Sequence, residues 1–131
     1  MILNGEKYYV EFQRSQRVAE VLHQEISRLI QFELKDPRLG FVTITAVDVS
    51  RDVQHAKVHY TVIGDEAAQK DSGRALQSAA GFIRRQLGRV LHLRTVPEIV
   101  FQYDKSIAYG NHIESLIRDV NKDRDDAAED K

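Results

Sequence analysis

A change in the spacing of apolar residues at Pro37 constrains the fold of this 131-residue chain more than any other feature. Before it, residues 14–34 carry apolar side chains at steps of three and four, which is the period of one helical face. These residues are Val18, Leu22, Ile26, Leu29 and Ile30. Proline disfavours helical geometry at the residue before it, so the first helix should end by Asp36; Ser15 is its predicted N-cap.

After Pro37 the sequence changes to patterns that are typical of strands. Positions 41–49 are rich in β-branched residues, and positions 56–62 alternate between apolar and polar side chains. Two antiparallel strands joined near Ser50-Arg51-Asp52 are therefore predicted. Asp65 is then expected to cap a second helix beginning at Glu66.

The helical pattern after Glu66 contains the small residues Ala79-Ala80-Gly81, which predict a kink between two helices. Such a kink serves close packing alone, or it exposes the start of a helix to a phosphate, since backbone N–H groups and the helix dipole favour an anion there. A Cβ at Gly81 should crowd this kink, so substitution is expected to be poorly tolerated. A third strand then alternates through Ile99, Phe101 and Tyr103, and Asp104 or Ser106 should cap a last helix.

The predicted order is α-β-β-α-kink-α-β-α, an α+β class with a three-stranded mixed sheet covered on one face by helices. Residues 1–12 are an N-terminal extension, residues 13–120 form the domain, and residues 121–131 are a charged tail expected to be disordered. The residues expected to be largely buried are Val18, Leu22, Ile26, Ile44, Val58, Tyr60, Leu76, Leu87, Ile99 and Phe101.

The composition excludes several classes of function. The chain has no cysteine, so disulfides, thiolate catalysis and cysteine-containing zinc sites are ruled out. It contains no nucleotide-binding loop and no hydrolase or metalloprotease signature, and its five histidines are expected to have solvated or packing roles. No segment has the length of an apolar membrane span or signal core. We expect a monomeric cytoplasmic protein that is not an enzyme and needs no cofactor or metal.

A local excess of positive charge lies within a chain whose formal net charge is only −1. Residues 72–97 contain no Asp or Glu but five arginines. On a helical wheel, Arg85 and Arg89 lie opposite the apolar stripe that contains Leu87, with Arg84 at its border. Such a face is compatible with simple solvation, but arginines without acidic partners repel one another unless they meet an anion such as phosphate. We therefore favour RNA binding.

Several short motifs in a fixed order resemble the ribosome-binding factor A family. The resemblance runs from Arg14 to about Val120. The matching segments are Arg17-Val18-Ala19, Lys35-Asp36-Pro37-Arg38-Leu39-Gly40, Ala56-Lys57-Val58, Gly81-Phe82-Ile83-Arg84, Leu93-Arg94, Pro97-Glu98, and Phe101 with Tyr103-Asp104-Lys105-Ser106-Ile107.

This resemblance implies a type II K-homology-like domain in which an Ala-x-Gly kink, here Ala79-Ala80-Gly81, replaces the usual Gly-x-x-Gly loop. It also implies late assembly of the small ribosomal subunit. The factor would bind the free subunit and its ribosomal RNA near the 5′ end helix, assist rRNA processing and cold adaptation, and be released with the help of an assembly GTPase. The residues expected to bind RNA are Arg84, Arg85, Arg89, Arg94, Arg14, Arg17, Lys35 and Arg38.

An alternative from another class is an adaptor that docks on a ribosomal protein or assembly GTPase through an exposed strand and the tail. The two functions differ in their sensitivity to salt, because phosphate contacts weaken steeply as salt rises, whereas an apolar protein interface is far less affected.

Overall fold

The computed structural model describes residues 4–92 and 95–106, which form two helices and three strands. Along the chain these are α1 (Asn4–Phe32), β1 (Phe41–Val49), β2 (His55–Ile63), α2 (Glu66–Val90) and β3 (Glu98–Tyr103). The α+β class and the three-stranded sheet are confirmed. The last helix and the charged tail lie outside the described residues, as does Arg94.

The sheet is mixed, with strand order β1-β2-β3. β1 and β2 are antiparallel, and β2 and β3 are parallel. The register of β1 shifts between Ile44 and Ala46, which makes Thr45 an extra residue in that strand. His23 of α1 contacts the carbonyl of Ile44 at 3.0 Å, so the helix meets the strand at this bulge.

The core lies between one face of the sheet and the apolar sides of α1 and α2. Nine of the ten residues predicted to be largely buried are buried. Phe101, the exception, is partly buried and packs against the core. Burial of these side chains is the main stabilising contribution, at about 25 cal/mol per Å² of apolar surface removed from water.

The first helix begins earlier than predicted. α1 starts at Asn4, so part of the N-terminal extension is helical and Ser15 is not an N-cap. Ser15 is a buried residue inside the helix, and its hydroxyl donates to the carbonyl of Phe12 at 2.9 Å. A serine can bond in this way to a carbonyl of the preceding turn, so its presence did not mark a helix start.

The second helix begins as predicted but does not break where a break was expected. Asp65 caps it, because its carboxylate accepts the N–H of Ala68 at 2.8 Å. α2 then runs unbroken through Ala79-Ala80-Gly81 to Val90. The apolar stripe explains this continuity, since Leu76, Ile83 and Leu87 fall on one side of a single helix and are all fully buried.

Gly81 is not crowded. A Cβ added there would meet only a guanidinium nitrogen of Arg85 at 3.8 Å, so the expectation of steric intolerance was wrong. The crowded glycine in α2 is Gly73, where a Cβ would lie 2.8 Å from the hydroxyl of Tyr60.

Candidate nucleic-acid interface

The exposed side of α2 carries a row of arginines that the predicted break had divided. Arg74, Arg85 and Arg89 all lie opposite the buried stripe, and each is exposed. Eleven residues correspond to just over three whole turns, so Arg74 and Arg85 point in nearly the same direction about 16 Å apart along the axis. None of the three forms an ion pair with any residue that the structure describes. We call these three residues the arginine row.

Sequence reasoning missed Arg74 as a site residue. It lay within the acid-free segment, but the helix break placed it on a different predicted helix from Arg85. The continuous stripe from Leu76 to Leu87 was the signal that could have joined them.

A groove of about 370 Å³ lies between α2 and the edge strand β3, and Arg74 of the arginine row lines it. Its lining is apolar toward the sheet and polar along the helix. The lining residues are Tyr60, Lys70, Gly73, Arg74, Gln77, Ala80, Ile99, Val100 and Phe101. An apolar floor with a cationic rim suits a single-stranded nucleic acid, whose bases stack on apolar or aromatic surfaces while its phosphates meet arginine.

Small residues keep this groove open. Gly73 leaves room for Tyr60, whose ring makes edge-on contacts with Phe101 and Tyr103 at centroid distances of 6.4 and 5.7 Å. Burial raises the pKa of Tyr60, so its hydroxyl stays protonated at neutral pH. Ala80 lines the groove directly, and it lies within α2 rather than at a helix start. Ala80 therefore contributes space to the groove, and no helix begins at this segment.

Arg84 is used differently from its neighbours. Its guanidinium donates to the carbonyl of Val96 at 3.1 Å, which ties α2 to the segment before β3. This hydrogen bond helps to hold the segment before β3 against α2, and Arg84 also adds positive charge to this part of the surface.

The loop after α1 carries two further predicted cations, Lys35 and Arg38, of which Arg38 contacts α2. Arg38 donates to the carboxylate of Asp36 at 2.7 Å and to the hydroxyl of Ser78 at 3.4 Å. The hydrogen bond with Asp36 raises the pKa of Arg38 and lowers the pKa of Asp36. The charge of Arg38 is therefore already paired with the carboxylate of Asp36. Lys35 is exposed and forms no ion pair within the described part of the chain.

Arg14 and Arg17 lie on the exposed side of α1. Arg17 shares a shallow cavity of about 170 Å³ with Leu91 and His92, just after the end of α2. Gly40, which follows α1, donates its N–H to Ser72 in the first half of α2 at 3.0 Å. The two helices therefore run in opposite directions, and Arg17 lies near the C-terminal end of α2 whereas Arg38 contacts its middle at Ser78.

The described residues offer neither a metal centre nor a membrane-spanning helix. They contain no group of three or more histidine or carboxylate side chains placed to hold a metal ion. None of the helices within them combines the length and apolar character needed to cross a membrane.

The chain is similar to a family of known proteins over most of its length. A family model described as ribosome-binding factor A matches residues 14–117. A relative of that name from Pelobacter propionicus is 48% identical over 116 residues, covering 87% of this chain and 95% of the relative. Another from Desulfitobacterium hafniense is 54% identical over 112 residues, covering 86% of this chain and 90% of the relative.

Solved structures give the same result at the level of the fold. The crystal structure of ribosome-binding factor A from Thermus thermophilus matches with a TM-score of 0.61 and 27% identity, covering 68% of this chain and 93% of that one. Coordinates of the Thermus thermophilus factor fitted into a cryo-EM map of its complex with 30S match with a TM-score of 0.57 and 28% identity, covering 66% and 91%. The expected K-homology-like fold is thereby confirmed. On sequence and on fold, this chain belongs to the ribosome-binding factor A family.

Proposed function

We propose that this protein is an assembly factor of the small ribosomal subunit. It binds the free subunit and its ribosomal RNA near the 5′ end helix, assists late rRNA processing, and matters most in the cold. It acts as a monomer by binding rather than by catalysis, and an assembly GTPase assists its release. The Thermus thermophilus relative, whose coordinates were fitted into a complex with 30S, supports the choice of partner.

The observation that carries RNA binding is the arginine row on α2, whose first member, Arg74, also lines the α2–β3 groove. Arg85 and Arg89 have no acidic partner among the described residues, so their repulsion is relieved when phosphates approach. Arginine also meets phosphate through two parallel hydrogen bonds, which fixes orientation. The groove alongside offers apolar surface to unstacked bases.

The test is a salt titration of affinity for an RNA fragment containing the 5′ end helix of small-subunit rRNA. Arg85→Glu with Arg89→Glu should weaken binding to this fragment and to unrelated RNA alike, because phosphate contacts position a protein without reading bases. The slope of log affinity against log salt should fall by about two units if both contacts are lost.

Lys57→Glu with Lys105→Glu is the matched control. It makes the same change in net charge, and Lys57 lies on the face of β2 that points away from the helices. The control should keep wild-type affinity and slope. If the arginine variant is folded and its slope is unchanged, the arginine row is not the RNA site; the cations at Arg14, Arg17, Lys35 and Arg38 then become the candidates.

The same titration separates RNA binding from the adaptor alternative. Affinity for free small subunits that hardly changes between low and high salt would favour docking on a ribosomal protein or an assembly GTPase through an apolar interface.

A further inference from the structure

The arginine row leaves a gap between Arg74 and Arg85, and position 78 of α2 lies in it. This position comes four residues after Arg74 and seven before Arg85, about 6 Å and about 10 Å along the axis, so it faces the same side of the helix. The residue there is Ser78, which is exposed and carries no charge. The guanidinium of Arg38 reaches its hydroxyl at 3.4 Å. A cation from the loop after α1 therefore occupies the gap.

A hydrogen-bonded turn holds the guanidinium of Arg38 in this place. The N–H of Leu39 donates to the carbonyl of Asp36 at 2.9 Å, which closes a turn around Pro37. The carboxylate of Asp36 accepts the backbone N–H of Arg38 at 2.9 Å, so the backbone fixes its orientation. The same carboxylate accepts hydrogen bonds from Nε of Arg38 at 3.1 Å and from Nη2 at 2.7 Å. One edge of the guanidinium is thus held by a carboxylate that is itself fixed.

The other end of this guanidinium is left for a ligand. Asp36 uses the edge formed by Nε and Nη2, and the contact with Ser78 is also made by Nη2. The N–H groups of Nη1 form no hydrogen bond within residues 4–92 and 95–106. The side chain of Arg38 is 44% exposed. A phosphate of RNA can therefore bind Nη1 through a charge-assisted hydrogen bond while Asp36 keeps its own hydrogen bonds.

We propose that Arg38 is a fourth phosphate ligand beside the arginine row and that Asp36 is the positioning residue that holds it there. This rests on the proposed function, since it concerns how the same face of α2 meets RNA. A free arginine side chain loses rotamer freedom when it binds a phosphate, which weakens binding by about three- to tenfold. Asp36 removes this freedom before RNA arrives. Its carboxylate therefore strengthens RNA binding, although it adds a negative charge.

The test compares Asp36→Asn with Asp71→Asn in binding to the RNA fragment that contains the 5′ end helix. Asp71 acts on Arg38 through its charge, but no hydrogen bond joins the two side chains, so it is the matched control. Asp36→Asn should weaken binding by about three- to tenfold. Asp71→Asn should leave the affinity unchanged or raise it, because it removes only a repulsive charge.

Asparagine at position 36 still closes the turn, because its amide oxygen accepts the same backbone N–H. Melting curves should therefore show a folded Asp36→Asn protein. Unchanged or tighter RNA binding by this variant would overturn the proposal, since the carboxylate would then only neutralise Arg38.

Arg38→Gln supplies the second arm of the experiment. It should lower the slope of log affinity against log salt by about one unit. In its presence Asp36→Asn should no longer weaken binding, because the two residues act through one contact. A loss from Asp36→Asn that persists without Arg38 would overturn the positioning role.

The arginine-row variant separates this proposal from the proposed function. If Arg85→Glu with Arg89→Glu lowers the salt slope and Arg38→Gln does not, RNA binds the row without Arg38 and only the present proposal fails. If neither variant lowers the slope, the RNA site proposed on α2 fails as well.

Discussion

Gly73 lies where α2 crosses the aromatic cluster of the sheet, and Gly81 lies two turns further along the exposed side of the same helix. A methyl group at Gly73 would approach the hydroxyl of Tyr60 to 2.8 Å, whereas one at Gly81 meets only a flexible arginine at 3.8 Å. Gly73 therefore has no room for a side chain and Gly81 has, although each glycine weakens the helix relative to alanine.

Gly73→Ala should lower the free energy of unfolding by about 1–3 kcal/mol, because overpacking a filled site outweighs the gain in helix propensity. Tyr60→Phe should remove most of this loss by deleting the oxygen that the methyl group meets. Denaturant unfolding of the two single variants and the double variant measures this coupling. A Gly73→Ala protein as stable as the wild type would show that Tyr60 shifts without cost.

Gly81→Ala should instead raise the free energy of unfolding by about 0.5–1 kcal/mol, since the new methyl group has space and the chain entropy of glycine is removed. The same unfolding experiment checks this, with Gly73→Ala as the matched control. A loss of RNA affinity in this more stable protein would be due to contact with RNA and not to misfolding. A destabilised variant would restore the steric role first expected for Gly81.

Asp104 should make stability depend on acid pH. Hydrogen bonds from Ser106 and then from Thr45 lower the pKa of Asp104 below its ordinary 3.8. The folded state thus favours the ionised carboxylate, so this contribution is present above pH 3.8 and is lost as the pH falls through the lower folded-state pKa. Asp104→Asn should melt below the wild type at pH 7, with the difference shrinking toward pH 2. Thr45→Val should reduce the same dependence in part, and a pH-independent difference would contradict the assignment.

At the scale of elements, the continuity of α2 places Arg74, Arg85 and Arg89 on one exposed face of a single helix. Adding Arg74→Glu to Arg85→Glu and Arg89→Glu should lower the salt slope of RNA binding by about one further unit, because Arg74 shares their face. Arg28→Ala on α1 is a suitable control, since Arg28 is already paired with Glu25 at 3.2 Å. If Arg74→Glu leaves the slope unchanged in a folded protein, the RNA contacts only the second half of α2.

At the scale of the whole molecule, the sheet separates two surfaces of different character. The α2–β3 groove is lined by Arg74 and Lys70, and a separate groove between α1 and β1 has the exposed apolar residues Phe41 and Ile63 in its lining. The first surface suits an anionic polymer, and the second suits an apolar segment. RNA binding at the first surface and an apolar contact at the second therefore use different residues of one small domain.

Removing the protein from a cell should cause free small subunits to accumulate with incompletely processed rRNA, and most strongly in the cold. Misfolded RNA helices rearrange slowly at low temperature, so an assembly factor is needed most there. Sedimentation profiles together with mapping of the rRNA 5′ end measure this at two growth temperatures. The protein should sediment with free small subunits, and an even distribution over polysomes would count against the proposed function.

The sequence by itself determined the features that depend on local spacing. The apolar period of α1, the β-branched residues of β1, the alternation in β2, the cap at Asp65 and nearly all of the buried core led to correct predictions. These features follow from the fixed geometry of helices and strands, so neighbouring residues suffice to predict them. The early start of α1 was missed because Ser15 looks like a cap whether or not helix precedes it.

Only the tertiary structure determined which residues that are distant in the sequence contact one another. Gly81 lowers helix propensity by an amount that burial of Leu76, Ile83 and Leu87 outweighs, so α2 continues and Arg74 joins the arginine row. The need for glycine at position 73 comes from a tyrosine on another element, and Arg38 meets Ser78 across 40 residues of chain. Such contacts are set by how the elements pack together, and no local pattern in the sequence records them.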